Sequence, residues 1–232
     1  MLDIHTHILP GIDDGAGSVE DALKILELQQ AQGVTDLALT PHYYSGEESL
    51  DLFLRRRLTA YQQLKQAYRG DIRLYLGAEV YYSPFIVYNS SIRECCLGRS
   101  SCLLLELPYS EYWEDSLYRG IEELIRRYEI TPVIAHIERY HPIRKKYHLA
   151  ADFHDMGCLI QMNAGSLLDR RTTGLAQKLL KHDYIDLLAS DTHSTGQRCP
   201  NLGDGLQMIA DKYGKSYVRL LERRADRLLL QA

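Results

Sequence analysis

The sequence predicts an α/β fold in which parallel strands alternate with helices. Three observations lead there. Short apolar runs alternate with longer amphipathic stretches along nearly the whole 232-residue chain. Cap and turn residues punctuate the alternation, with Ser18 and Asp21 opening a helix, Gly33 closing it and Pro41 ending a strand. Polar residues able to carry chemistry collect directly after the apolar runs. In parallel α/β folds the site lies at the C-terminal strand ends, whether the sheet is open and doubly wound or closed into a barrel.

Taken in order, residues 2–5 read as a first strand, and Ala22, Ile25 and Leu26 then follow helical spacing. Further strands are expected over residues 34–40, 72–77, 103–107, 130–135, 158–162 and 185–190. Helices are expected over residues 48–69, 116–128, about 144–155 and 174–182, and from about 203 to the end. In that tail Val218, Leu221, Ala225 and Leu228 share a face that suits packing on the core. Repeated β-α units imply parallel strands with right-handed crossovers. The span 1–232 reads as a single domain, a length at which one chain buries a sizeable core.

Composition narrows the function classes. The formal net charge is −4, so bulk attraction to nucleic acid or to an anionic membrane is not expected, and an anionic substrate must be held by local charge. No run of residues is apolar and long enough to predict membrane insertion, and residues 1–8 do not read as a signal peptide. Five cysteines, two of them adjacent and none in a C-x-x-C pair, argue against a disulfide framework and for the cytoplasm. They also lack the C-x5-R loop that a thiol-based phosphatase needs. Seventeen tyrosines against three phenylalanines is a skew toward apolar bulk with a polar tip.

The strand ends carry the chemistry. His5, His7, Asp13 and Asp14 follow the first strand, His42 the second and Glu79 the third. Glu106 ends the fourth, His136, Glu138 and Arg139 follow the fifth, Asn163 the sixth, and Asp191 and His193 the last. In His5-Thr6-His7 and Asp191-Thr192-His193, alternation on an extended backbone sends both ligating side chains the same way. Mixed imidazole and carboxylate donors suit zinc, manganese or iron better than calcium. A lone histidine at a strand end is most often a hydrogen-bonding or surface residue, but this ordered set is improbable for structural residues. His148, His154 and His182 lie near helix ends and read as surface residues, while His141 lies close to the Arg139 loop.

The segments DIHTHILPGIDDG, TPHY, GAEVYY, ELPY, TPVIAHIERY, MNAGS and ASDTH resemble the PHP (polymerase and histidinol phosphatase) superfamily. Within it they are most similar to the bacterial tyrosine-protein phosphatases of capsule and exopolysaccharide synthesis. The resemblance implies a distorted TIM-like (β/α)7 barrel with three divalent metal ions, manganese first and iron or zinc as alternatives. It implies one ion on His5, His7, Glu79 and Asp191, a second on Glu79, Glu106 and His136, and a third on Asp14, His42 and His193. Arg139 and Arg198 resemble the phosphate-binding arginines, whose guanidinium fork matches phosphate oxygens. The implied reaction is hydrolysis of a protein phosphotyrosine, on the tail of a bacterial tyrosine kinase, by a metal-activated hydroxide. The nearest alternative is a phosphatase for histidinol phosphate or another small ester. An amidohydrolase and a non-catalytic metal-binding module are weaker ones. One departure stands out: Tyr43-Tyr44-Ser45-Gly46-Glu47-Glu48 occupies a stretch expected to be basic, and its tyrosines are candidates to pack on a substrate ring.

Overall fold

The computed structural model describes residues 1–230. Strand β1 (Leu2–Asp3) pairs in parallel with β2 (Asp36–Leu39), and β2 with β4 (Arg73–Leu76). A second parallel run starts at β3 (His42–Tyr43) and continues through β5 (Glu79–Tyr81), β6 (Cys102–Glu106), β7 (Thr131–Ile134), β8 (Leu159–Asn163) and β9 (Leu187–Ala189). Strands β2 and β3 are halves of one strand line, broken at Thr40–Pro41, where proline offers no N–H to a ladder. Strands β4 and β5 are halves of another, broken at Gly77–Ala78. The two breaks match in register: Gly77 N donates to Leu39 O at 2.9 Å and Glu79 N to Pro41 O at 3.0 Å. Seven strand positions result.

The ends of the two runs meet. Asp191 N donates to His5 O at 2.9 Å and His7 N to Thr192 O at 2.8 Å, around a parallel bridge between Thr6 and Thr192. The β1 and β9 lines therefore join, and the strands form an irregular barrel. This is the distorted α/β barrel that the resemblance implied.

Alternation along each strand separates two apolar layers. Ala38, Cys102, Leu104, Val133, Ala135, Leu187 and Ala189 face the barrel interior with Leu2 and Ile4. Leu37, Leu39, Leu103, Leu105, Ile134, Ile160 and Leu188 face the surrounding helices. Glu106 continues the inward series of Cys102 and Leu104, so the strand that fills the barrel also delivers a carboxylate at its top.

Helices α1 (Val19–Ala31), α2 (Leu50–Ala67), α3 (Asp115–Tyr128), α4 (His141–Lys145), α5 (Ala150–Asp155), α6 (Gly165–Leu168), α7 (Thr173–Lys181), α8 (Leu202–Tyr213) and α9 (Lys215–Leu230) supply the outer layer. Ser18 caps α1, its Oγ accepting from Asp21 N at 3.1 Å, and Gly33 beyond its end takes φ +88°. The helix expected over residues 144–155 is instead α4 and α5 joined by a 3-10 turn, because Lys146 leaves the helical region at φ −139°. The expected continuous tail breaks at Gly214, with φ +87°, into α8 and α9. The expected apolar face survives in α9: Leu221, Ala225 and Leu228 are buried, the last two against the interior residues Leu2 and Leu187. They close the end of the barrel opposite the strand C-termini.

All five cysteines are unpaired, and Cys95, Cys96, Cys102 and Cys158 are buried as small apolar groups. Among the described residues, no helix is long and apolar enough to cross a membrane.

His154, expected as a surface residue, bonds to Asp186 Oδ2 at 2.8 Å, and the same oxygen accepts from Ile160 N at 2.9 Å. That hydrogen bond raises the His154 pKa above its usual value. A raised folded-state pKa contributes stability that is full below the unfolded value of about 6.5 and is lost as pH rises through the folded value. Chemical denaturation of the protein and of His154→Ala should therefore show their largest stability difference below about pH 6, shrinking toward alkaline pH. A difference that grows with pH would contradict the pairing.

Candidate metal centre

The site forms where the strand ends converge, and Glu79 at the start of β5 is its hub. Its carboxylate is 1% exposed. Glu79 Oε2 lies 3.2 Å from His5 Nε2, 3.3 Å from His7 Nε2 and 3.0 Å from His42 Nδ1. Glu79 Oε1 lies 2.8 Å from His136 Nε2. Both oxygens thus face imidazole nitrogens, four in all, from three different strand ends. Burial opposes the charge on Glu79, but these imidazoles hold its pKa well below the usual carboxylate range.

The histidine tautomers follow from their outer partners. Gln161 Oε1 accepts from His136 N at 2.8 Å and can only accept from His5 Nδ1 at 3.1 Å, so His5 carries its proton on Nδ1. His7 Nδ1 donates to Asp13 Oδ2 at 2.8 Å, and His193 Nδ1 to Asp191 O at 3.0 Å. All three rings therefore turn Nε2 inward. His5 Nε2 and His7 Nε2 then face each other at 3.1 Å, an arrangement that needs a proton or a cation between two lone pairs. His193 Nε2, His42 Nδ1 and Glu79 Oε2 are buried with no hydrogen-bond partner among the described residues. Buried donor atoms that converge without hydrogen bonding fit divalent metal ions.

The cluster calls for positive charge. Burial works against charge on either His7 or Asp13, but their hydrogen bond together with Glu79 beside His7 and the backbone N–H groups at Asp13 outweighs it, pushing His7 up to about 10 and Asp13 down to about 2. His193 is pushed down to about 3 by burial and by the neighbouring His7, whose ring stacks on it at 3.8 Å. Burial and the nearby Glu79 push Glu106 up. Asp191 falls below the usual range: burial opposes its charge, and the imidazoles of His5, His7 and His136 together outweigh it.

Three groupings have donor atoms within 4.8 Å of one another: His7 with Asp14, His42 and His193; His5 with His7 and Glu79; and His42 with Glu79 and Glu106. The grouping implied by resemblance differs in detail. His7 adjoins the Asp14 group as well as Glu79, and His42 lies between Asp14 and Glu106. Asp191 Oδ1 stands 3.4 Å from His5 Nε2, and Glu106 Oε1 3.5 Å from His136 Nε2. All nine candidate ligands gather in one place.

Both arginines reach the same place through Asp191. Arg139 Nη1 donates to Asp191 Oδ2 at 3.1 Å, and Arg198 Nη2 to Asp191 Oδ1 at 2.8 Å. Arg198 Nη1 also points at Asp14 Oδ2, at 3.4 Å. Each guanidinium has five N–H donors, so most remain available to a ligand. Glu138 does not pair with Arg139; it is buried and accepts from Asn163 N and Ser166 Oγ.

The backbone bends to aim these groups. His136 takes φ +31° and Asp191 φ +54°, left-handed conformations that are costly for residues with a Cβ and that concentrate at functional sites. Gly15 packs on the His7 backbone, where a Cβ would lie 1.9 Å from His7 O.

Gln161 and Tyr109 were not singled out in the sequence, while Asn163 was, at the end of its strand. Gln161 is fully buried, and its Nε2 donates to Asn163 Oδ1 at 2.8 Å. Asn163 Nδ2 in turn donates to Asp191 Oδ2 at 2.8 Å, so Asn163 orients a carboxylate. Tyr109 donates to Glu106 Oε1 at 3.0 Å and stacks beside His136. Strand parity could have found Gln161, two residues before Asn163 on β8. Of the two tyrosines in the unexpected loop, Tyr43 is core, packed on Phe53 at 4.9 Å. Only Tyr44 stands at the site, beside His42 and Tyr81. His141 pairs with Glu111 at 2.9 Å and takes no part.

Fold and site together define a parallel α/β barrel whose strand ends form a buried centre able to hold divalent metal. The chain belongs to the capsular polysaccharide synthesis CpsB/CapC family, whose family model matches residues 1–231. It is 26% identical over 226 residues to the tyrosine-protein phosphatase CpsB of Streptococcus agalactiae, covering 93% of this chain and 92% of that one. It is 28% identical over 238 residues to the tyrosine-protein phosphatase YwqE of Bacillus subtilis, covering 99% and 91%. The structure superposes with a TM-score of 0.83, at 24% identity, on one of the crystal structures of YwqE from Bacillus subtilis and CpsB from Streptococcus pneumoniae, described as metal-dependent tyrosine phosphatases. That match covers 99% of this chain and 94% of the other.

Gln161→Leu keeps the volume of the side chain and removes its polar partners. It should weaken binding of divalent metal by about 10- to 100-fold, the usual effect of losing a ligand's outer partner. Metal titration followed by calorimetry on the folded variant checks this, and unchanged affinity would refute the role.

Proposed function

We propose that the chain is a metal-dependent protein-tyrosine phosphatase of the cytoplasm, acting as one unit over residues 1–232. The observation that carries this reading is Glu79, a buried carboxylate facing four inward-turned imidazoles. The names of the family relatives support the substrate class. The substrate is a phosphotyrosine protein of polysaccharide synthesis, and the tail of a bacterial tyrosine kinase is its most specific form.

Three divalent ions, manganese first with iron or zinc as alternatives, would be held by His5, His7, Glu79 and Asp191; by Glu79, Glu106 and His136; and by Asp14, His42 and His193. Bound there, such ions lower the pKa of water and neutralise charge on phosphoryl oxygens. The chain's own residues do the rest. Arg139 and Arg198 lie on the two oxygens of Asp191 and keep free N–H groups for the non-bridging phosphate oxygens. Their donors are already placed and reorganise little as charge spreads in the transition state. Asp13, Gln161 and the Asp191 carbonyl hold the histidine tautomers in the ligating form. Tyr109 fixes one oxygen of Glu106 and keeps its proton, since burial raises its pKa. A tyrosine leaving group departs as a phenolate with pKa of about 10, so the reaction asks little of a general acid.

Chelation with EDTA should abolish hydrolysis of a phosphotyrosine peptide, and manganese should restore it. Histidinol phosphate should be turned over far more slowly, and the reverse preference would transfer the reading to the small-ester alternative. His136→Ala should lose more than about a hundredfold in kcat/KM. His148→Ala should stay close to the unsubstituted protein. Equal losses, or activity that survives complete metal removal, would overturn the assignment.

A further inference from the structure

A groove of about 750 Å³ lies beside the metal centre, between the loops that follow β5 and β6 and the outer face of α3. Its walls include Tyr82, Pro84, Tyr88, Pro108, Tyr112 and Trp113. We propose that this groove docks apolar side chains flanking the phosphotyrosine of a protein substrate. The inference rests on the phosphatase reading and assigns its specificity to this chain's own residues.

The groove and the centre are made by the same two loops. Glu79 belongs to the centre, while Tyr82 lines the groove. Tyr109 donates its hydroxyl to Glu106 in the centre, and its neighbours Pro108 and Ser110 line the groove. Ser83, also in the groove wall, hydrogen-bonds Ser45 at 2.7 Å in the loop that follows His42. A phosphotyrosine seated on the metals therefore sends its neighbouring residues across Tyr109 into the groove.

The groove is held in shape by its own contacts. Trp113 is fixed as a wall: its Nε1 donates to Pro108 O at 3.2 Å, and its ring packs edge-on against Tyr140 and Phe153. The Tyr82 ring crosses α3 at Gly120, where a Cβ would lie 1.8 Å from the Tyr82 hydroxyl. The Arg127 guanidinium sits over the Tyr88 ring at 5.1 Å and holds it at the rim. Tyr88 and Tyr112 are nevertheless 72% and 68% exposed, which leaves aromatic surface uncovered by the chain itself.

Rigid aromatic and prolyl walls bind aliphatic, aromatic or prolyl side chains at small entropic cost. The volume lies in the range that ligands fill. Of the charged residues in the wall, Glu123 is paired with Arg126 and Arg127, and Glu114 and Arg119 are opposite in sign, so the groove has little net charge to offer an ionic partner.

The test compares three substrates: p-nitrophenyl phosphate, a phosphotyrosine peptide flanked by Gly and Ser, and one flanked by Leu and Pro. The variants are the double substitution Tyr88→Ala with Tyr112→Ala, and Ser116→Trp, which fills the groove from an exposed position of α3. The unsubstituted protein should favour the Leu/Pro peptide in kcat/KM. Each variant should lose that preference by about tenfold or more while its turnover of p-nitrophenyl phosphate changes less than about twofold. No preference in the unsubstituted protein, or equal losses on all three substrates, would overturn the proposal. If no phosphate ester is hydrolysed, the phosphatase reading itself fails. Fluorescence anisotropy of the two peptides then decides the groove, and equal affinities would overturn it. Self-association of the unsubstituted chain in sedimentation velocity, lost in Ser116→Trp, would assign the groove to a second copy and likewise overturn the proposal.

Discussion

Glu79 lies where a carboxylate is expensive, buried at the mouth of a barrel with 1% of its surface exposed. Removing a charge from water costs several kcal/mol unless opposite charge replaces the solvent. Here the imidazoles of His5, His7, His42 and His136 surround it from three strand ends, and a divalent ion held among them would supply that charge. None of them is close to Glu79 in the chain. The countercharge exists only when the strands are assembled in order, so the site and the closure of the barrel are one energetic problem. A cluster that is costly when half-formed favours a single strand arrangement.

Closure is achieved by the same residues. His5 O and His7 N bond to Asp191 N and Thr192 O, so the backbone of the proposed ligands is also the seam of the barrel. The seam places Asp191 opposite His5 and His7. The left-handed turns at His136 and Asp191 then direct their side chains inward. Metal binding and the integrity of this seam are coupled through shared residues.

The mouth is electrostatically divided. Arg139 and Arg198 stand on Asp191, while Asp14, Glu47 and Glu48 stand near His42 with only Arg56 among them. The chain has no global positive field to attract phosphate, in keeping with its net charge of −4. The proposed reading assigns recognition to local forks of N–H groups and to the aromatic groove. Tyr44 stands against His42 and Tyr81, and Tyr109 beside His136, which gives part of the tyrosine excess a place in the fold.

The alternation of apolar runs and helical patterns was enough to predict parallel strands, because strand and helix periods are local properties of the sequence, while the choice between an open sheet and a barrel came from the resemblance. Strand-end position was enough to single out His5, His7, Glu79, His136, Asp191 and His193, since the C-terminal ends of parallel strands face one pocket. Breaks at Lys146 and Gly214 were not legible, because each depends on one residue leaving the helical region under tertiary packing. Gln161 looks like an ordinary strand residue, and Asn163 shows only as a strand-end polar group, until β8 is set beside β7 and β9, where they become the outer partners of His5 and Asp191. Tyr43 and Tyr44 are adjacent in sequence, yet one fills the core and the other stands at the site. The sequence alone determined which residues could ligate and on which strands they sit. Only the tertiary structure decided which nitrogen each ring turns inward, which side chains hold it there, and where a neighbouring groove opens, because those depend on contacts between segments far apart in the chain.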